Sequence, residues 1–174
     1  DIAPHFVCLS RVGQHAILAP AISPDKGCYR YLRSAYPSTE EVMTIFSRIG
    51  LVGRTGHAGV VDSLRRLLKF LATRSVHIIL DENTASLLPN HQLEVRRRED
   101  LGRECDLVIV VGGDGSMLNV AQIMAYHDVP VLGVNRGRLG FLTDILPAEI
   151  EQRIEQILDG EYKEESRFLI EFEV

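Results

Sequence analysis

Gly112-Gly113-Asp114-Gly115 sets one carboxylate among three glycines. Glycines allow a backbone to approach a phosphate without side-chain clash, and a helix starting beside them offers free N–H groups and the positive end of its dipole to an anion. A carboxylate in such a place repels phosphate unless it coordinates a cation or takes a proton from an attacking hydroxyl, and both roles belong to phosphoryl transfer. An aspartate in a glycine turn can instead simply cap the helix that follows. The lysine and Ser/Thr of a G-x-x-x-x-G-K-[ST] loop are absent, so the usual P-loop arrangement is excluded.

A second element, Asn135-Arg136-Gly137-Arg138-Leu139-Gly140-Phe141-Leu142-Thr143, follows the apolar run Val129–Val134. If both runs are parallel strands, the two glycine-bearing loops leave the same carboxyl edge of a sheet, where open α/β folds bind ligands. Taken singly, Asn135 reads as a turn residue, Arg136 and Arg138 as solvated charges and Phe141 as core; only the combination points to a site. Gly53, Gly56 and Gly59 are spaced G-x-x-G-x-x-G, not the G-x-G-x-x-G of a dinucleotide fingerprint, and read as a tight turn. Arg96, Arg97 and Arg98 stand between Glu94, Glu99 and Asp100, which reads as a mixed-charge helix face. Cys8, Cys28 and Cys105 form no C-x-x-C pair, and the six histidines show no metal-ligand or triad spacing.

With Asn135–Thr143 extended to Asp144, Val110–Gly115 together with this second motif closely resembles the NAD kinases of bacterial type. The resemblance runs over about residues 45 to 174, including Ile49-Gly50-Leu51-Val52-Gly53 and Arg167-Phe168-Leu169. It implies transfer of a phosphoryl group from ATP to the 2′-hydroxyl of the adenosine ribose of NAD, giving NADP, with a divalent cation such as Mg2+; some members take polyphosphate as donor. By the same resemblance Asp114 is the proton acceptor, Gly115 lines the dinucleotide site, Phe141 lies against the adenine region, and Gly112 and Gly113 let phosphates come close. The resemblance further implies a homodimer or homotetramer for the full-length protein. The family's Asn-Glu or Asn-Asp motif is missing from these residues, so the fragment alone is expected to be inactive. The alternatives are a diacylglycerol-type lipid kinase of the same superfamily, an oxidoreductase using the first glycine turn, and an NAD-binding module without catalysis.

The elements expected to position these motifs alternate. Ile45–Val52, Val76–Leu80, Asp106–Val111 and Val129–Val134 read as strands, the third without polar alternation, as when both faces are buried. Val60, Leu64, Leu67, Leu68 and Leu71 recur at helical spacing, as do Met117, Leu118, Ala121 and Met124. Pro147 suits a helix start, Ile150, Ile154, Ile157 and Leu158 its buried stripe, and Gly160 a left-handed cap. Strand alternating with helix predicts a Rossmann-like parallel sheet over residues 43–160. The alternating run Phe168–Val174 reads as the first strand of a truncated all-β domain beginning near 161. Residues 1–42 carry no sustained period and stay unassigned; Met43, just before the first strand, raises the possibility of a mis-called extension.

Hydrophobic residues at 45% and charged residues at 25% belong to a soluble globular protein. A net charge of −5 argues against partners such as nucleic acid or anionic membrane held by broad attraction. No apolar run approaches the roughly 20 residues that span a bilayer, and the expected location is the cytoplasm.

Overall fold

Leu107–Gly112 contains no polar residue and is buried along its whole length, as a strand covered on both faces must be. It is β5, the centre of one seven-stranded sheet. The others are β1 (His5–Ser10), β2 (Arg48–Gly53), β3 (His77–Asp81), β4 (Glu94–Arg96), β6 (Val131–Asn135) and β7 (Lys163–Phe168). The order is β4-β3-β2-β5-β6-β1-β7, parallel throughout except for β7, which runs antiparallel to β1. The computed structural model describes residues 5–10, 45–57, 59–137, 140–143 and 145–168.

The pleat of β5 divides the core in two. Leu107, Ile109 and Val111 face one cluster, with Leu64, Leu67 and Leu71 of α1 (Val60–Leu71) and Ile150, Ile154, Ile157 and Leu158 of α5 (Ile150–Leu158). Val108 and Val110 face the other, with Leu101 of α3 (Arg98–Glu104) and Met117, Val120, Ala121 and Met124 of α4 (Asp114–Met124). Successive strand residues point to opposite faces, so an uninterrupted apolar run feeds both layers, and the Rossmann-like α/β expectation holds. Arg66 ties the first layer together: its guanidinium reaches the Glu151 carboxylate and donates to the Pro147 carbonyl. The hydrogen bonds from Arg66 to Glu151 hold the Glu151 carboxyl below its ordinary value.

Pro147 opens a 3₁₀ turn (Pro147–Glu149) that leads into α5. Gly160, at φ 88°, follows the last turn and donates to the Ile157 carbonyl at 3.1 Å, the left-handed terminus glycine tolerates best. Two short elements join the expected ones: α2 (Glu82–Ala85), capped by the Asp81 side chain, and the three-residue β4.

His5–Ser10, to which sequence gave no structure, pairs with all six residues of β7 and touches β6 at Cys8↔Val131. Leu9 is 1% exposed and belongs to the core. Leu9→Ala is therefore expected to cost about 2–5 kcal/mol of stability, the usual range for an emptied Leu site; chemical denaturation reads this directly, and an unchanged midpoint would remove β1 from the sheet. Of the expected strand Phe168–Val174, residues 169–174 lie outside the described residues, as do 11–44. β7, which ends on Phe168, is an edge strand of the α/β sheet among the described residues and carries Lys163, Glu164, Glu165 and Arg167, charges that discourage further strand pairing.

Candidate active site

The sheet changes direction between β2 and β5: β3 and β4 lie beyond β2, and β6 lies beyond β5. At such a reversal the loops leaving the two strands part and open a crevice at their carboxyl ends. Gly53 ends β2, Gly112 ends β5, and the Arg54 N–H donates to the Val111 carbonyl across the gap at 3.0 Å. α4 starts directly from this edge, with Gly113 as N-cap in an extended conformation and no side chain capping its first turn.

Asp114 is the first residue of α4, yet its carboxylate does not cap that helix. Its Oδ2 accepts the Phe141 N–H at 2.8 Å, and its Oδ1 accepts the Leu142 N–H at 3.2 Å and the Thr143 hydroxyl at 3.3 Å. The bond pattern excludes the bland reading of a capping aspartate. It also brings the two sequence motifs together, because the Arg136 N–H donates to the Gly112 carbonyl at 2.8 Å. Asn135 is buried and its Oδ1 accepts the Gly137 N–H at 2.7 Å, a local turn of the kind asparagine makes. Thr143 is fully buried. Arg138, Leu139 and Asp144 of the second motif lie outside the described residues.

The glycines differ in why they must be small. A Cβ on Gly112 would meet the Ser116 Oγ at 2.7 Å, so this residue is small for internal packing, whereas Gly113 and Gly115 face open space within 4 Å and leave the backbone accessible. Gly140, which sequence did not single out, is the most constrained: a Cβ there would overlap the Asp114 carboxylate. Gly59, in a left-handed conformation at φ 79°, would meet the Arg136 Nη1 at 2.7 Å; Arg136 donates from Nε to the Ser63 Oγ at 2.6 Å. The first glycine turn thus seats an arginine of the second motif. Phe141 is 91% exposed, its backbone engaged with Asp114 and its ring toward solvent.

A cavity of about 550 Å³ opens beside the start of α4, lined by Arg54, Asn83, Arg98, Gly115, Ser116 and Asn119 among others. No sequence signal marked Arg54, Asn83 or Asn119, and Arg98 was read as part of a mixed-charge helix face. The structure separates the three consecutive arginines. Arg96 joins Glu94 and Glu104, Arg97 sits at the N-cap of α3, and Arg98 turns inward to the Asp81 carboxylate at 3.1 Å.

Burial pushes the Cys105 thiol up to about 12, leaving it protonated and unreactive at neutral pH. Among the described residues no group of three His, Cys, Asp or Glu could hold a metal ion, and none of their helices is long and apolar enough to cross a membrane.

A family model described as the ATP-NAD kinase N-terminal domain matches residues 49–162. The NAD kinase of Azotobacter vinelandii is 57% identical over 132 residues, covering 76% of this chain and 45% of that protein. Those of Pseudomonas putida strain F1 and of Chromohalobacter salexigens are each 54% identical over the same shares. The chain thus spans less than half the length of these curated relatives. Among solved structures, yeast NADH kinase complexed with NADH superposes with a TM-score of 0.59 at 19% identity, over 66% of this chain and 38% of that one, a likeness of fold.

Proposed function

The chain belongs to the NAD kinase family, and from that membership we propose that it supplies the α/β half of an enzyme that moves a phosphoryl group from ATP to the 2′-hydroxyl of the adenosine ribose of NAD. The observation that carries this reading is the convergence of both motifs on Asp114, through the hydrogen bonds from Phe141, Leu142 and Thr143. A carboxylate has about four lone-pair sites; three donors fix its position, and one site stays open for a substrate hydroxyl. Asp114 then acts as proton acceptor as that hydroxyl attacks the terminal phosphorus of the donor. The bond to the leaving nucleotide oxygen breaks, and NADP and ADP result.

Gly113 and Gly115, open to approach, leave room for the reacting phosphates beside the uncapped first turn of α4. Phe141, exposed next to the carboxylate, is available to the adenine end of NAD. A divalent cation such as Mg2+ would accompany the donor and would neutralise charge on its phosphates. The buried Cys105 thiol suits a reducing cytoplasm.

The β-rich half that the resemblance implies beyond the α/β sheet is proposed to close the other side of the site, in a homodimer or homotetramer. Because phosphoryl transfer depends on positioning both substrates, residues 1–174 alone are expected to form NADP at less than about one hundredth of the rate of a chain extended through the second half of its relatives' length. A coupled assay for NADP compares the two, and equal rates would show that the present residues hold the whole site.

A further inference from the structure

We infer that Arg98, oriented by the buried Asp81, together with Arg54, binds the phosphate chain of a nucleotide in the cavity beside Gly115 and Ser116. The inference rests on the kinase reading for the nucleotide's identity, but its physical basis is separate from Asp114.

The cavity lies at the reversal between β2 and β5, and its lining includes two arginines and no carboxylate. In a chain of net charge −5, a cleft whose charged groups are all cationic selects anions locally. Its volume, about 550 Å³, falls in the range of small-molecule sites. Polar groups without charge complete it: Thr55, Asn83, Ser116 and Asn119 can bond phosphate oxygens.

Arg98 is held for this purpose. Asp81 is 1% exposed and takes the Arg98 Nε at 3.3 Å on Oδ1 and Nη2 at 3.1 Å on Oδ2, a two-point grip that fixes the guanidinium plane. Nη1 donates to the Asn119 Oδ1 at 2.7 Å. A guanidinium has five N–H donors, so two remain for a ligand in a fixed orientation. Asp81 is anchored in turn by the Thr84 N–H and hydroxyl, each at 3.3 Å, and Thr84 accepts the Gly53 N–H at 2.7 Å. The chain Gly53–Thr84–Asp81–Arg98 therefore locks one cation of the cleft to the end of β2. Arg54 forms no salt bridge among the described residues and is exposed, so its charge is available to an incoming anion.

Two phosphate chains could use this cleft, the triphosphate of the donor or the pyrophosphate of the dinucleotide. The test uses the extended protein with Arg98→Ala, Arg98→Lys, Arg54→Ala and Asp81→Asn, each checked for folding by circular dichroism. Arg98→Ala is expected to raise one KM tenfold or more, with kcat reduced less. A rise for ATP assigns the donor, and a rise for NAD assigns the dinucleotide. Arg98→Lys keeps the charge but loses the two-point grip and is expected to recover part of the loss. Asp81→Asn, as a positioning change, should shift the same KM as Arg98→Ala and not the other. If neither KM moves in folded Arg98→Ala and Arg54→Ala proteins, the inference is overturned. Equilibrium dialysis with Mg-ATP and with NAD separates this result from failure of the kinase reading. Wild type that binds either nucleotide, and loses it on Arg98→Ala, keeps the cleft assignment even if no NADP forms.

Discussion

Gly140→Ala is expected to lower kcat of the extended protein about 100-fold while the protein stays folded. The added methyl group would overlap the Asp114 carboxylate, which is the free end of a short side chain and can rotate away. Rotation breaks the bonds from Phe141, Leu142 and Thr143, and a displacement near 1 Å of a reacting group costs about 100-fold in rate. Fold and activity should therefore separate. Steady-state kinetics and a thermal melt on the same preparation test this; a rate within twofold of wild type would mean that the placement of Asp114 is not critical.

Asp114→Asn is expected to reduce kcat by about 100- to 10,000-fold, the usual worth of a general base. Two effects act in the same direction. The amide cannot accept the proton of the 2′-hydroxyl, and it offers one acceptor oxygen where the carboxylate offers two, so the Phe141–Thr143 segment loses part of its anchor. The affinity for NAD, measured by equilibrium dialysis, should change far less than the rate. Loss of both together would instead make Asp114 a residue of the loop's architecture.

Much of this arrangement was legible in the sequence, because long apolar runs carry their own period. β2, β3, β5 and β6 lie within about three residues of their expected bounds, α1 and α5 follow their apolar stripes, and α4 buries Met117, Ala121 and Met124 but leaves Leu118 exposed. β4 was hidden because each of its residues is only partly buried and two are charged; it is held by the ladder to β3 and by the His77–Glu94 and Arg96–Glu104 pairs. β1 was hidden for another reason. Its neighbours β6 and β7 come more than 120 residues later in the chain, and no local pattern reports a partner so distant.

The site divides in the same way. Asp114 and its glycines stand out because the proposed chemistry draws on residues that are adjacent in the chain. The clearance between Gly140 and Asp114 arises only when two loops meet, so no spacing rule could show it. Arg98 was misjudged because three consecutive arginines share one composition and meet three different fates, and the residue that decides, Asp81, lies 17 positions away.

The most direct measurement follows the product by phosphorus-31 NMR as the extended wild-type protein turns over NAD and Mg-ATP. The expected result is a new 2′-phosphomonoester signal on the adenosine ribose, growing in step with ADP and absent on the same timescale with Asp114→Asn. ADP appearing without that signal, no consumption of ATP at all, or an undiminished signal with Asp114→Asn would contradict the account.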